Sequence, residues 1–239
     1  MIWPLIKKYL KYPKIIFIRE PDCRKHLEKI NVKQVIDSFD LVLQSSKIHY
    51  ENIFSGSRSS VKNKFNISKE SIIVIPNKQL TKFKTQEEII QIFSSLVEVM
   101  LKQDQKVVIL CHSSDDKEIC SLIAKKSENK NVCLINEDLN PLELQDVFES
   151  SKMVIAARYH GLIHALKLNK PCVVLGWANK YDHVMNEFGL NEFYFDIRKL
   201  EMDCINIASL KMLKSIDEYK VKIEGVLKEM KSFDIYKYI

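Results

Sequence analysis

Hydrophobic residues occur in short, dense runs from about residue 71 onward, and longer mixed stretches separate these runs. The runs occupy residues 71–75, 106–110, 131–135, 153–157, 172–176 and 193–197. Apolar side chains fill nearly every position of a run, whereas a strand with one solvent face alternates apolar and polar residues. Such runs are typical of a parallel sheet that is covered on both faces. The pattern therefore predicts one sheet of six mainly parallel strands.

The mixed stretches have the length and the spacing of apolar residues that amphipathic helices need. They occupy residues 85–103, 115–127, 141–150, 158–168 and 180–188. Asn140 before Pro141 is a favourable helix start, and Gly189 is a favourable helix end. Strands that alternate with helices of this length predict an α/β fold with a doubly wound, Rossmann-like sheet.

The amino-terminal part of the chain follows a less regular pattern. Residues 14–18 and 41–44 are predicted strands, and a helix is predicted between them near residues 21–30. A stretch rich in Ser, Arg and Asn, residues 55–66, is predicted to link two units. We therefore expect a small amino-terminal α/β unit with a linker (1–66), a Rossmann-like domain (67–205) and a carboxyl-terminal helix that packs back (206–239).

Composition excludes several classes of protein. The net charge of +6 comes from scattered lysines, and no stretch interleaves basic with aromatic residues, so we expect no nucleic-acid partner. The chain has only 5 glycines and lacks both the GxGxxG and the Walker pattern of phosphate-binding loops. Dinucleotide or NTP binding of the usual kind is therefore disfavoured.

The 6 cysteines form no C-x-x-C pair, and three of them, Cys111, Cys133 and Cys172, lie in apolar strand-like runs, which indicates a reducing compartment. The apolar stretch at the start of the sequence is too short for a signal peptide or a membrane span. We therefore predict a cytoplasmic protein, with the lysine-rich surface allowing peripheral association with the inner face of a membrane.

Polar side chains follow several of the predicted strands. Ligands of open α/β sheets bind beyond the carboxyl ends of the strands, so these residues form the candidate site. They are Asn77 and Lys78 after the first strand of the sheet, His112 after the second, Arg158, Tyr159 and His160 after the fourth, and Lys180 after the fifth.

Arg158 and His160 open a predicted helix, whose free N–H groups favour an anion. The planar guanidinium group of an arginine suits a carboxylate or a phosphate. The alternative is that both side chains are purely structural. The cationic residues expected at neighbouring strand ends, Lys180 and His112, favour the anion site.

A metal site is not predicted. His160 and His164 have the four-residue spacing of zinc ligands, but no third ligand follows, so His164 is interpreted as a core or supporting residue. Asp115 and Asp116 precede a predicted helix, and we expect them to cap that helix.

Residues 143–190 resemble the signature region of the polysaccharide pyruvyl transferases. The matching positions are Arg158, His160, Ala165, Pro171, Lys180 and Gly189. Upstream, residues 15–32, 39–43 and 112–124 are similar to successive segments of the same family. The resemblance spans most of residues 15–190 in order, and the Arg-x-His block is its most specific part.

The resemblance implies a fold like that of GT-B glycosyltransferases. It also implies transfer of pyruvate from phosphoenolpyruvate to two hydroxyls of a sugar, as a ketal, during biosynthesis of a cell-surface polysaccharide such as an exopolysaccharide. Arg158 and His160 would then be catalytic residues of the donor site, with Lys180 as a helper. No cofactor is expected besides phosphoenolpyruvate as co-substrate, and the acceptor would be a glycan or a lipid-linked saccharide.

Most of the family's amino-terminal domain is expected to be absent from this sequence, so a separate partner could supply it. Two alternatives stay open. One is a GT-B-like glycosyltransferase that uses a nucleotide sugar, with Glu137 or Glu143 holding the ribose. The other is a non-catalytic subunit that binds glycan or supports assembly.

Overall fold

The computed structural model describes residues 3–45, 49 and 64–238. The chain divides into two compact units, one formed by residues 1–46 with 227–239 and the other by residues 47–226. Most of the predicted linker, residues 55–63, lies outside the described residues, and the predicted domain limits stay a prediction.

The helices and strands are numbered in chain order. The helices are α1 Trp3–Tyr9, α2 Pro21–Glu28, α3 Leu41–Gln44, α4 Gln86–Leu101, α5 Lys117–Lys126, α6 Pro141–Glu149, α7 Tyr159–Lys167, α8 Asn179–Glu187, α9 Met202–Lys214 and α10 Ile216–Ser232. The strands are β1 Ile16–Ile18, β2 Val35–Asp37, β3 Ser71–Ile75, β4 Val107–Leu110, β5 Val132–Ile135, β6 Ser151–Ala156, β7 Cys172–Gly176 and β8 Tyr194–Asp196. Short 3₁₀ helices cover Lys78–Lys82, Ser114–Asp116, Asn191–Phe193, Ile197–Lys199 and Ile235–Tyr238.

The larger unit contains a sheet of six strands in the order β5-β4-β3-β6-β7-β8. All neighbouring strands of this sheet are parallel, which confirms the sequence prediction. The chain winds outward from β3 to β5, returns to the centre at β6, and then winds outward in the other direction. The two halves therefore diverge between β3 and β6, which is the topological switch point where ligands of such folds bind.

The core explains why the strands read as unbroken apolar runs. All five residues of β3, all four of β4 and all five of β7 are buried, because helices cover the sheet. Helix α4 contacts both α5 and α9, while α6 contacts α7. Polar residues are thus driven to the strand ends, where backbone turns leave room for them.

The smaller unit differs from the sequence prediction at residues 41–44. These residues form the single-turn helix α3. The strand that pairs with β1 is β2, which begins at Val35 and therefore precedes the predicted strand. The Asp40 side chain caps α3 by accepting a hydrogen bond from Val42 N at 2.9 Å. Only Leu43 of this helix is buried, while Leu41 is exposed, so its apolar sequence did not reflect a two-sided strand environment.

The carboxyl-terminal segment also differs from its prediction as a single long helix. It contains two helices, α9 and α10, which are separated at Ser215. Residues after 226 belong to the smaller unit, where Phe233 packs edge-on against Phe39 with ring centroids 5.7 Å apart. Among the described helices, none is both long enough and apolar enough to cross a membrane.

A close contact between β7 and α8 positions the start of α8. A Cβ atom on Gly176, the last residue of β7, would lie 2.7 Å from Cγ of Tyr181. The Tyr181 ring is buried, and its hydroxyl donates a hydrogen bond to the Ala157 carbonyl oxygen at 3.2 Å. Only glycine therefore allows α8 to approach the strand end this closely.

We predict that Gly176→Ala destabilises the protein by about 1–3 kcal/mol, as overpacking of a filled core does. Gly225→Ala is the matched control, since no atom lies within 4 Å of its added Cβ. Gly225 lies inside α10, so alanine there should stabilise by roughly 0.5–1 kcal/mol. Urea unfolding of both variants measures the difference, and equal free energies of unfolding would contradict the packing argument.

Candidate functional site at the carboxyl edge of the sheet

Asn77 joins the two central strands at the switch point. Its Nδ2 donates to the carbonyl oxygen of Ala157 at 2.8 Å, and its Oδ1 accepts from Gln79 N at 2.9 Å. The first bond ties the end of β3 to the end of β6, and the second caps the 3₁₀ helix after β3. Asn77 is 1% exposed, so its buried amide links the two strand ends.

Arg158 is held by a carboxylate from a third strand end. Its Nε and Nη2 donate to Oδ2 and Oδ1 of Asp116 at 2.8 and 2.7 Å, which forms a bidentate ion pair. Oδ1 of Asp116 also accepts from Lys78 N at 2.8 Å. One buried carboxylate therefore connects the segments that follow β3, β4 and β6.

The expectation that Asp116 caps a helix is wrong. Asp116 occupies the N-cap position of α5, but its side chain accepts no hydrogen bond from the α5 backbone. The carboxylate instead turns toward Arg158 and is completely buried, because a paired guanidinium satisfies it better than a solvated helix end. Sequence reasoning missed this residue, although an acidic side chain shortly after a buried strand is the signal that points to it.

One edge of the Arg158 guanidinium remains available. The pair with Asp116 uses the Nε–Nη2 edge, and Nη1 makes no hydrogen bond within the part of the chain that the structure describes. The side chain is 20% exposed. Its end-on edge, formed by Nη1 and the second N–H of Nη2, matches the geometry of a carboxylate or phosphate ligand.

His160 lies in the first turn of α7, and its side chain is exposed. The N-cap residue of this helix, Arg158, makes no side-chain cap, so the first N–H groups of α7 are not satisfied by it. Gly161 follows, and a Cβ there would lie 2.8 Å from Cδ1 of Ile75 in β3. The helix start is thus packed closely onto the switch point, with His160 facing solvent beside Arg158.

Lys180 and Tyr159 form a second pair. The Lys180 ammonium lies 4.6 Å from the centroid of the Tyr159 ring, and the ring itself is buried. A cation held over an aromatic face keeps its charge while its position is restricted. Tyr159 therefore supports Lys180, and the positive charge comes from the start of α8, next to α7.

His112 does not carry the positive charge that the sequence argument assigned to it. Burial, together with the nearby His164, His160 and Arg158, lowers its pKa to about 4. His112 is therefore neutral at pH 7 and its Nε2 has no hydrogen-bond partner among the described residues. Its ring lies 6.1 Å from that of His164, as part of the packing behind α7.

The predicted residues thus differ in what they do at the carboxyl edge. Arg158, His160 and Lys180 present polar groups at the carboxyl edge, while Asn77 and Tyr159 brace that edge. Lys78 contributes its backbone N–H to Asp116, and its ammonium lies 3.6 Å from Glu118. Trp177 packs against Phe83 and Tyr181. Within the described residues, no cluster of three His, Cys, Asp or Glu side chains has the arrangement of a metal site.

The strand order and the position of these side chains define a Rossmann-like α/β protein with a candidate site at its switch point. The chain belongs to the polysaccharide pyruvyl transferase family, whose model it matches over residues 4–179. It is also 23% identical to the amylovoran biosynthesis protein AmsJ of Erwinia amylovora over 154 residues. This match covers 61% of the chain but only 37% of AmsJ.

Solved structures with the same fold include two from S. aureus. MnaA, solved with UDP, superposes with a TM-score of 0.61 and 12% identity over 90% of this chain and 54% of MnaA. TarM superposes with a TM-score of 0.60 and 16% identity over 96% of this chain and 43% of TarM. These likenesses show the GT-B-type Rossmann-like fold alone, and the chain spans about half of each structure.

We predict that His112 makes stability depend on pH. Its pKa is 6.5 in the unfolded chain and about 4 in the folded protein, so the unfolded state binds more protons between these values. Stability therefore falls as the pH drops from about 6.5 toward 4. In His112→Asn, the difference between the melting temperatures at pH 7.5 and pH 5 should shrink. His26→Asn, at an exposed position, is the control, and an unchanged difference in His112→Asn would contradict the prediction.

Proposed function

We propose that this protein takes part in transfer of pyruvate from phosphoenolpyruvate to a sugar of a cell-surface polysaccharide, forming a ketal. The observation that carries the proposal is the end-on edge of Arg158 beside an exposed histidine at the start of α7. Family membership supports a transferase acting on polysaccharide. The chain spans only part of its relatives, so the complete reaction is proposed for the chain together with the acceptor-binding part that the family has.

The charges at the carboxyl edge suit a small anionic donor. Phosphoenolpyruvate carries a carboxylate and a phosphate, each of which can accept two parallel hydrogen bonds from a guanidinium. The Arg158 charge is balanced by Asp116, so further attraction has to come from Lys180 and from the N–H groups of α7. A trianion is thus met by a positioned guanidinium edge, an ammonium and a helix start.

The reaction requires a proton at the donor methylene. Protonation of that carbon lets one sugar hydroxyl add to the neighbouring carbon, and a second hydroxyl then displaces phosphate from it to close the ketal. Histidine is the usual general acid near neutral pH, and His160 is the exposed histidine beside Arg158. We assign His160 the donation of this proton and Arg158 the binding of the donor.

The nucleotide-sugar alternative receives no support from the carboxylates that it needs. Glu143 accepts the Asn140 N–H at 2.8 Å in the capping box of α6. Glu137 binds the ammonium of Lys64. Both carboxylates already bind groups of the protein, so a ribose would compete with these contacts.

A non-catalytic glycan-binding or assembly subunit of this family is the second candidate, which membership of the family also supports. The proposed partners are phosphoenolpyruvate, a glycan or lipid-linked saccharide and a protein that supplies an amino-terminal domain.

All six cysteines are free thiols, as a reducing compartment requires. Exposed Leu5, Tyr9 and Tyr12 beside the lysines of α1 are consistent with peripheral membrane association. A cytoplasmic location stays a prediction.

Donor binding is tested with Arg158→Lys. The ammonium keeps the charge but cannot form two parallel bonds on each of two edges, so we expect affinity for phosphoenolpyruvate to fall at least tenfold. Isothermal titration measures this affinity. Arg198→Lys is the matched control, because Arg198 makes a bidentate pair with Asp196 through Nε and Nη2 at an exposed position. If Arg158→Lys binds phosphoenolpyruvate as the wild type does, the proposed donor site is wrong.

Proton donation is tested with His160→Gln. Glutamine forms hydrogen bonds but does not titrate, so kcat should fall about 10²–10⁴-fold while donor affinity changes little. The assay measures release of phosphate in the presence of acceptor glycan and the amino-terminal partner, with His26→Gln as the control. Equal turnover by His160→Gln would remove His160 from this role. Glycan binding by a wild type that transfers nothing would favour the non-catalytic subunit.

A further inference from the structure

We propose that Asp116 is the positioning residue for Arg158, and that it holds the guanidinium so that its end-on edge faces an anionic ligand. This inference rests on the proposed donor site and assigns a role to a residue that does not itself contact the donor. The first observation is the complete burial of the Asp116 side chain. A buried carboxylate is costly unless hydrogen bonds and an opposite charge compensate it, and here Arg158 supplies both.

The geometry of the pair restricts the orientation of Arg158. Two parallel bonds, from Nε to Oδ2 and from Nη2 to Oδ1, fix the guanidinium plane relative to the carboxylate plane. A single bond would leave the group free to rotate about its side-chain torsions. The end-on edge consequently points in one direction, away from Asp116, and two N–H groups of that edge remain for a ligand.

The carboxylate is itself anchored. Its Oδ1 accepts a hydrogen bond from Lys78 N at 2.8 Å, so Asp116 is held in place by the segment that follows β3. Asn77, directly before Lys78, bonds to the carbonyl of Ala157, directly before Arg158. The side-chain pair and the backbone link thus close a ring of hydrogen bonds around the switch point, and Arg158 is restrained from both ends.

Charge alone predicts the opposite effect of Asp116 on an anion. A carboxylate next to the site repels a phosphate or carboxylate ligand, so its removal would strengthen anion binding if Asp116 acted only through its charge. A positioning role predicts that its removal weakens binding, because Arg158 loses its fixed orientation. The sign of the change in affinity therefore distinguishes the two.

The test measures phosphoenolpyruvate affinity in Asp116→Asn by isothermal titration. Asparagine keeps the size of the side chain but replaces one acceptor oxygen by a donor, so one bond to Arg158 is lost. We expect the dissociation constant to rise at least tenfold. Asp115→Asn is the matched control, since Asp115 is the exposed neighbour in the same 3₁₀ helix, and its affinity should equal that of the wild type. Affinity in Asp116→Asn that is unchanged or stronger would overturn the proposal.

A double variant separates positioning from a general structural effect. In the Arg158→Lys background, Asp116→Asn should produce no further tenfold loss, because the group that it positions is already absent. A further loss of the same size in this background would show that Asp116 acts through something other than Arg158, which would also overturn the proposal.

A second readout does not depend on the donor. The signal of the Arg158 Nε–H proton in ¹⁵N NMR spectra is assigned by its absence from Arg158→Lys. We expect this proton to exchange with solvent at least tenfold more slowly than the Nε–H proton of Arg198, whose side chain is 52% exposed. Rapid exchange in the wild type would overturn the proposal even if Asp116→Asn does not fold. If the wild type binds no phosphoenolpyruvate, the proposed function fails. In that case the exchange rate of the Arg158 Nε–H still tests positioning. Exchange that is slow in the wild type and fast in Asp116→Asn would support the positioning role. Exchange that stays slow in Asp116→Asn would overturn it.

Discussion

The buried ion pair of Asp116 and Arg158 is the interaction on which the carboxyl edge of the sheet depends. Parallel strands that are apolar at every position bring their polar loop residues to one edge, where buried groups need partners. Asp116 follows β4 and binds both the side chain of Arg158, which follows β6, and the backbone of Lys78, which follows β3. One carboxylate therefore provides partners at three strand ends. The charge of Asp116 balances that of Arg158, so the proposed attraction of an anionic donor rests on Lys180 and on the start of α7.

The site is built from braced and exposed residues that alternate along the chain. Asn77 and Tyr159 are buried and hold neighbouring groups, while His160 is exposed in the first turn of α7. A buried support combined with an exposed polar group is the arrangement that preorganises a site for a ligand, because the support prevents rotation away from the ligand. His112 belongs to the supporting side, since its low pKa keeps it neutral.

The family match and the structural likenesses support different conclusions about this chain. The family match covers residues 4–179 and includes Arg158 and His160, whereas the structural likenesses at 12–16% identity concern the fold alone. MnaA was solved with UDP, yet Glu137 and Glu143 of this chain are engaged by Lys64 and by the Asn140 backbone. The likeness in fold therefore carries no assignment of the donor, which rests on the proposed function.

Much of the fold was decided by the sequence, because its pattern is local. Apolar runs and amphipathic stretches predicted all six strands of the larger sheet and the helices between them. The pattern failed at residues 41–44, because a run of three apolar residues is compatible with either a strand or a helical turn. The cap from Asp40 favours the helix. It also placed Asn77, Arg158, His160 and Lys180 at strand ends, because strand ends follow directly from strand positions.

Tertiary structure alone decided what these residues do there. Asp116 and Arg158 are 42 positions apart, and no local pattern indicates that one carboxylate takes the Nε–Nη2 edge of the guanidinium and leaves the other edge available. The neutral state of His112 likewise depends on burial and on charges contributed by other elements. Sequence determines which chemical groups arrive at the edge of the sheet, and the packing of distant segments determines which of them are already partnered.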